Sequence, residues 1–341
     1  MTQATPFFKA ASQKDSKKRI GVILAQLGTP DDASPAAVKR YLKEFLSDPH
    51  VIEVWRPLWY FILNGIILRT RPQQSALLYQ RLFSTYGRVL VTYSESLLKK
   101  VYESFPESDN TVFFEIGMRY GKPSLKQAVE TLVNTHKCDQ LYIAPLFPQY
   151  SNTSTGSVVD LVTSVVSKMR CKPGLRFLEP FYAEDFFLEP LAHNINKALE
   201  ARQQAPEKII FSYHGIPQRY AKKGDPYARH CVATTNALAD KIDFPRRQIL
   251  HCYQSRFGKE PWLKPYLDER LQQLAKEGIK DILIVSPAFT IDCLETLDEL
   301  GYESKKLFKA HGGDTLELVS CVNDDAHWAQ LLAKKIHKDI S

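Results

Sequence analysis

Short apolar runs rich in β-branched residues alternate along this chain with stretches whose apolar positions recur every three or four residues. The runs at 20–27, 111–117, 140–147, 175–179, 208–213, 248–253, 281–289 and 315–320 predict eight strands. Between them, 34–46, 124–136, 192–203 and 262–278 carry a helical period. Strands that alternate with helices in this way predict an α/β fold, with parallel sheets covered by helices on both faces.

The two halves echo each other. ILAQLGTP (23–30) and IFSYHGIP (210–217) are each a strand followed by a polar residue, a glycine and a proline. LYIAPLF (141–147) and LIVSPAF (283–289) each end a strand in Pro-x-Phe. The pattern predicts two copies of one unit. The first copy is longer, by an insertion at about residues 48–93 that holds Trp55, Trp59, Tyr60 and Phe61 with a run of Ile and Leu. Such an insertion at the crevice end of a sheet reads as a lip for a flat apolar ligand or a surface that dips into a membrane, and equally as a buried helical hairpin. Its uncharged run, Pro57–Leu68, falls short of the roughly 20 residues that a spanning helix needs.

Polar residues at the carboxyl ends of parallel strands line the ligand crevice of such folds. His214 stands there, before Gly215 and Pro217. Past the strand at 281–289 runs a row of acids, Asp292, Glu295, Asp298, Glu299 and Glu303. Glu295, Glu299 and Glu303 are four apart and share one face of a helix, with Leu294, Leu297, Leu300 and Leu307 on the other. An imidazole and several carboxylates facing one crevice suit a divalent cation and proton acceptance. A plainer account makes Asp292 and Glu295 a capping box and the rest a solvated face. That account leaves Glu299 and Glu303 unexplained, because like charges four apart repel. Trp262 could stack on a planar ligand, and Arg119 could hold a ligand carboxylate beside the amphipathic wall of Tyr120. The hydroxyl-rich turn 149–157 suits either an anion or simple N-capping.

Composition narrows the partners. At 44% hydrophobic and 24% charged residues the chain reads as globular. Its net charge of +7 comes from scattered basic doublets rather than a stripe, which argues against nucleic acid. The six cysteines form no C-x-x-C pair, which argues for a reducing compartment and against a structural zinc. The sequence has no G-x-G-x-x-G and no P-loop lysine pattern. Residues 1–19 read as a flexible leader.

In LGTPD (27–31), PQYSNTSTGS (148–157), SYHGIPQRY (212–220), YQSRFGKEPWL (253–263) and SPAFTIDCLETLDEL (286–300) the chain resembles the ferrochelatases, which insert ferrous iron into protoporphyrin IX in the last step of haem synthesis. The likeness runs from about Gly21 to the C-terminal helix. It implies two Rossmann-like domains with the cleft between them, over 20–180 and 181–322, and a helix at 323–341 that packs back on the first domain. It implies His214 and Glu295 as the catalytic and metal pair, Glu299 and Glu303 as the metal path, and Arg119, Tyr120, Trp262 and Tyr213 as porphyrin contacts. Fe(2+) is then a substrate, delivered to a macrocycle that is bent and loses two pyrrole protons. Animal members have histidine at Cys293, so that cysteine receives no role. They also carry an iron–sulfur cluster, using a C-terminal cysteine-rich tail and a cysteine near Asn152; none is expected here. The likeness is greater to Gram-negative members, which points to protoporphyrin rather than coproporphyrin. The expected setting is the cytoplasm, as a monomer, with peripheral contact at the inner membrane as an option that the insertion leaves open. A cobalt or nickel chelatase and a non-catalytic tetrapyrrole carrier are the rival readings.

Overall fold

The computed structural model describes residues 18–106 and 111–341, so the expected leader lies outside the described residues apart from Lys18 and Arg19. All eight expected strands form: β1 (Ile20–Thr29), β2 (Val112–Gly121), β3 (Gln140–Pro145), β4 (Gly174–Phe177), β5 (Lys208–His214), β6 (Ile249–Gln254), β7 (Asp281–Val285) and β8 (Thr315–Leu318). They make two four-stranded parallel sheets with the same spatial order, β2-β1-β3-β4 and β6-β5-β7-β8. In each sheet the chain leaves the first strand on one side and returns on the other. The crevice of this topology therefore opens between β1 and β3 and between β5 and β7.

Helices cover both faces. The first half carries α1 (Pro35–Ser47), α2 (Arg56–Ile62), α3 (Leu68–Tyr86), α4 (Val89–Glu103), α5 (Leu125–Asn134) and α6 (Ser157–Ser167). Then come α7 (Asp185–Glu200), α8 (Gln218–Lys222), α9 (Tyr227–Ala239), α10 (Leu267–Lys276), α11 (Lys305–Ala310) and α12 (Ala326–Ile340). Three segments wind as π-helix with i→i+5 bonds: Leu63–Ile67, Asn152–Gly156 and Leu294–Ser304. Local chemistry sets the ends. Ser34 and Ser124 accept from the amides of Ala37 and Gln127, each at 3.2 Å, and Asp325 accepts from that of Trp328 at 2.9 Å.

Alternation along the strands sorts the core. Ile23 and Ala25 of β1 face α5 and α6, against Val129 and Val162. Val22 and Leu24 face the other way, into a cluster that also holds Ile209 and Phe211 of β5 and Trp328 of α12. The two sheets thus share one core. The C-terminal helix contacts α4 of the first half as well as α7.

Two boundaries differ from expectation. A proline disfavours a helix interior, so the helical period read from residue 192; α7 instead begins at Asp185 and runs through Pro190. The helix expected from Trp262 starts at Leu267, and Trp262 lies in the loop before it.

Candidate active site

His214 ends β5, at the carboxyl edge beside the β5–β7 crevice. Gly215 then permits a close approach: a Cβ there would meet the Gln254 carbonyl at 2.9 Å and the Trp262 ring at 3.1 Å. Trp262 is held by pairing with Pro217, and its ring lies 6.5 Å from that of His214. His214 Nδ1 sits 2.7 Å from the Gly215 carbonyl oxygen. A carbonyl can only accept, so Nδ1 carries the hydrogen and the neutral ring presents its lone pair at Nε2.

Of the acidic row, Glu295, Asp298, Glu299 and Glu303 lie on the π-helix Leu294–Ser304, not on a regular α-helix. The expected capping box between Asp292 and Glu295 is absent as well. The box is formed by Cys293 and Thr296, with the Cys293 amide donating to Thr296 Oγ1 at 3.0 Å. Asp292 is buried and anchors the turn, accepting from Thr296 Oγ1 at 2.8 Å and Asn323 Nδ2 at 2.7 Å. Freed from capping, Glu295 borders a small pocket lined by Gly28, Thr29, Tyr79, Phe83 and Cys293. Gly28 is required where β1 meets β2: its φ is +113° and a Cβ would lie 1.7 Å from the Tyr120 carbonyl. Carboxyl edges of both sheets therefore converge on Glu295.

Glu299 accepts from Ser255 Oγ at 2.6 Å and Gln254 Nε2 at 3.3 Å. Burial pushes its carboxyl above the usual carboxylate range; the Ser255 bond and the charge of His214 act against that rise, and Glu295 adds to it. His214, Glu295 and Glu299 are thus one electrostatic cluster. Among the described residues, no group of three or more His, Cys, Asp or Glu side chains is disposed to hold a metal ion. Glu303 is committed elsewhere. Arg81 of α3 bonds it at 2.7 Å and clamps the buried Asp298 at 2.5 and 2.8 Å.

Three of the expected porphyrin contacts have protein partners in this structure. Arg119 and Tyr120 belong to β2 rather than following it, paired with β1 through Gly28 and Thr29. Arg119 is paired with buried Asp48 and donates to Ser157 Oγ at 2.6 Å, so its charge is already neutralised. Tyr120 is fully buried, its hydroxyl donating to Asp48 at 2.8 Å. Tyr213 alternates away from the crevice into the core, where its hydroxyl meets Thr235 Oγ1 at 2.9 Å. The hydroxyl-rich turn is likewise consumed by protein partners. Ser151 caps it, Ser151 and Asn152 bond Asp225, and Ser157 donates to Asp48.

Arg71 is a residue that the sequence reading missed. No ion pair involves it among the described residues. Its guanidinium stacks on Phe257 at 4.0 Å, and burial pulls its pKa below the ordinary value. Its sequence signal was slight, one of several arginines in the insertion, standing before Pro72.

The insertion has a buried side and an exposed apolar side. Trp59 faces inward and donates to the Leu46 carbonyl at 2.7 Å, whereas Trp55 and Phe61 are 73% and 71% exposed and Ile66 is 61% exposed. Among the described residues, no helix is long and apolar enough to cross a membrane.

The two parallel-sheet units, of one strand order, are an arrangement that solved structures share. SirB from Bacillus subtilis, solved with Fe3+, shares the fold at a TM-score of 0.56 and 12% identity, covering 94% of this chain and 95% of its own. SirB from the subspecies spizizenii, in complex with cobalt, gives 0.54 at 9% identity, covering 94% of each chain. The sequence is more specific: the ferrochelatase family profile matches residues 19–340. A ferrochelatase of Bradyrhizobium diazoefficiens is 41% identical over 91% of this chain and 90% of its own length. One from Bradyrhizobium sp. BTAi1 is 40% identical over 100% of this chain and 99% of its own, and ferrochelatase 1 of Shewanella oneidensis is 41% identical over 92% and 93%. The chain belongs to the ferrochelatase family, lyases of haem synthesis that insert iron into protoporphyrin.

Proposed function

We infer that this chain inserts ferrous iron into protoporphyrin IX, with His214 as the proton acceptor and Glu295 as the carboxylate that meets the metal. The observation that carries this is the contact of His214 Nδ1 with the Gly215 carbonyl, which leaves Nε2 as the acceptor of the neutral ring, in a cluster with Glu299. The reaction exchanges two pyrrole protons for one Fe2+. An imidazole can take a proton from a pyrrole nitrogen, and the buried Glu299 carboxyl, poised above its usual range, can receive it next. Glu295 supplies a hard anionic oxygen at the pocket where the two sheets meet. Bending the macrocycle would expose its nitrogen lone pairs to the metal, with binding energy at the lip supporting the distortion. Arg71, half-buried and stacked on Phe257, is the cation suited to a propionate. Trp262 is the aromatic neighbour of His214.

Exposed Trp55, Phe61 and Ile66 support a peripheral contact with the inner membrane from the cytoplasmic side. Asn152, bonded to His50 and Asp225, supports a chain without an iron–sulfur cluster.

The test supplies protoporphyrin and ferrous iron anaerobically and follows haem formation. His214→Ala is expected to lower kcat by at least about 100-fold, the usual contribution of general acid–base catalysis. Glu295→Gln, which leaves the Cys293–Thr296 cap intact, is expected to weaken iron dependence without unfolding the protein. Turnover near wild type in both variants would sink the assignment. Binding of porphyrin without turnover by the wild-type protein would instead identify a carrier, and faster insertion of Co2+ than Fe2+ would identify a different metal.

A further inference from the structure

The segment Asp48–Glu53, where the lip leaves the body of the protein, is gripped from both halves. On the first-half side, Asp48 accepts from Tyr120 at 2.8 Å and Ser157 at 2.6 Å, and His50 contacts Asn152 at 3.1 Å and Asp160 at 2.6 Å. On the other side stands α8, the short helix that follows the His214–Pro217 turn. Tyr220 of α8 is 3% exposed. Its hydroxyl donates to the Val51 carbonyl at 2.9 Å and accepts from the Glu53 amide at 3.4 Å. Arg219 Nη1 donates to the Glu53 carbonyl at 2.9 Å, and Lys223 Nζ pairs with Glu53 Oε2 at 2.6 Å.

The start of α8 is tied in turn to the loop that carries Trp262. The Gln218 amide donates to the Pro261 carbonyl at 2.9 Å, and the Leu263 amide donates to the Ile216 carbonyl at 3.0 Å. One buried hydroxyl therefore joins the lip root to the turn that holds the imidazole. It also accepts from Arg219 Nη2 at 3.2 Å, its other two bonds reach backbone groups of the other half, and it contributes no group to the reacting cluster. Its geometry has a use if the height of the lip over His214 matters.

We propose that Tyr220 is a positioning residue, locking the lip root to the His214 turn so that a porphyrin seated under the lip meets the imidazole at one distance. The inference rests on His214 as proton acceptor. Misplacement of a bound reactant lowers the rate without removing any reacting group. Iron, which approaches the acidic cluster rather than the lip, is not subject to that misplacement.

Tyr220→Phe keeps the ring and removes all three hydroxyl bonds, the two to the lip root and the one from Arg219. Steady-state kinetics with protoporphyrin and ferrous iron, normalised to the folded fraction, are expected to show kcat/KM for porphyrin reduced about 3- to 10-fold, the scale of a net loss of one or two hydrogen bonds. The KM for iron should stay within about twofold of wild type. Lys223→Met, which removes the exposed pair alone, should lose less than about twofold in kcat/KM for porphyrin. An unchanged kcat/KM for porphyrin in Tyr220→Phe, or an equal rise in both KM values, overturns the proposal. So does a loss in Lys223→Met as large as that in Tyr220→Phe, because it would assign the effect to charge at the lip. Full activity of His214→Ala fails the underlying reading separately, whatever Tyr220→Phe shows.

Discussion

Glu299 is held in surroundings that oppose its own charge, and stability should register this. Its folded-state pKa lies above the unfolded value, chiefly through burial. The folded state therefore binds the proton more tightly, and the carboxylate costs stability once pH rises through that folded pKa. Glu299→Gln is expected to raise Tm at pH 7.5, with the gain shrinking as pH falls towards the range where the wild-type carboxyl is protonated; a Tm difference independent of pH would contradict this. Arg71 makes a second case. If Arg71 bonds a propionate as proposed, Arg71→Leu should raise the porphyrin KM roughly 10-fold, the scale of a hydrogen bond to a charged group, with kcat little changed. At this scale the sequence was informative where local order decides the outcome. His214 lies where the strand and its Gly-x-Pro exit placed it. The bonds of Arg119 and Tyr120 to Asp48 were not legible, because that partner is 71 and 72 residues away and no spacing rule reaches that far.

Among the elements, the lip and the π-helix Leu294–Ser304 carry the main differences from expectation. Period counting marked the insertion as apolar without saying which aromatics faced inward. The Trp59 indole settles that by bonding the end of α1, leaving Trp55 and Phe61 outside. Trp55→Ser with Phe61→Ser should weaken binding to anionic vesicles and leave Tm nearly unchanged, as sedimentation and thermal melts would show. Trp59→Ala should cost about 3–5 kcal/mol in denaturant unfolding, as deletion of a buried aromatic does. The acids four apart do lie on one helix, but each meets a different neighbour: the pocket for Glu295, Ser255 and His214 for Glu299, Arg81 for Glu303. The leucines divide as well. Leu294 and Leu297 pack on the lip cluster and Leu300 on the second sheet. An i→i+5 winding is invisible to a pattern search tuned to 3.6 residues per turn.

Across the whole molecule, the repeated half was the most legible feature. β-branched runs that are buried on both faces can scarcely be anything but parallel strands. Contacts between the halves were not legible, because they join residues far apart in sequence, as Arg81 joins Asp298. Trp328 illustrates the dependence of one half on the other. It is fully buried and stacks on Phe186 at 5.8 Å, beside Phe181 and Phe187, in the core that both sheets share. Trp328→Ala is expected to lower the stability of both halves in a single transition, by about 3–5 kcal/mol; two separate transitions would argue against a common core. The double grip on Asp48–Glu53 also limits how this enzyme can be recombined. The lip looks like a cassette, a loop inserted at one point of an otherwise symmetrical pair. Its root, however, is read by Asp48's partners in one half and by Arg219, Tyr220 and Lys223 in the other. A lip grafted from a relative would arrive without its locks unless α8 travelled with it, so the unit of exchange is the lip together with α8.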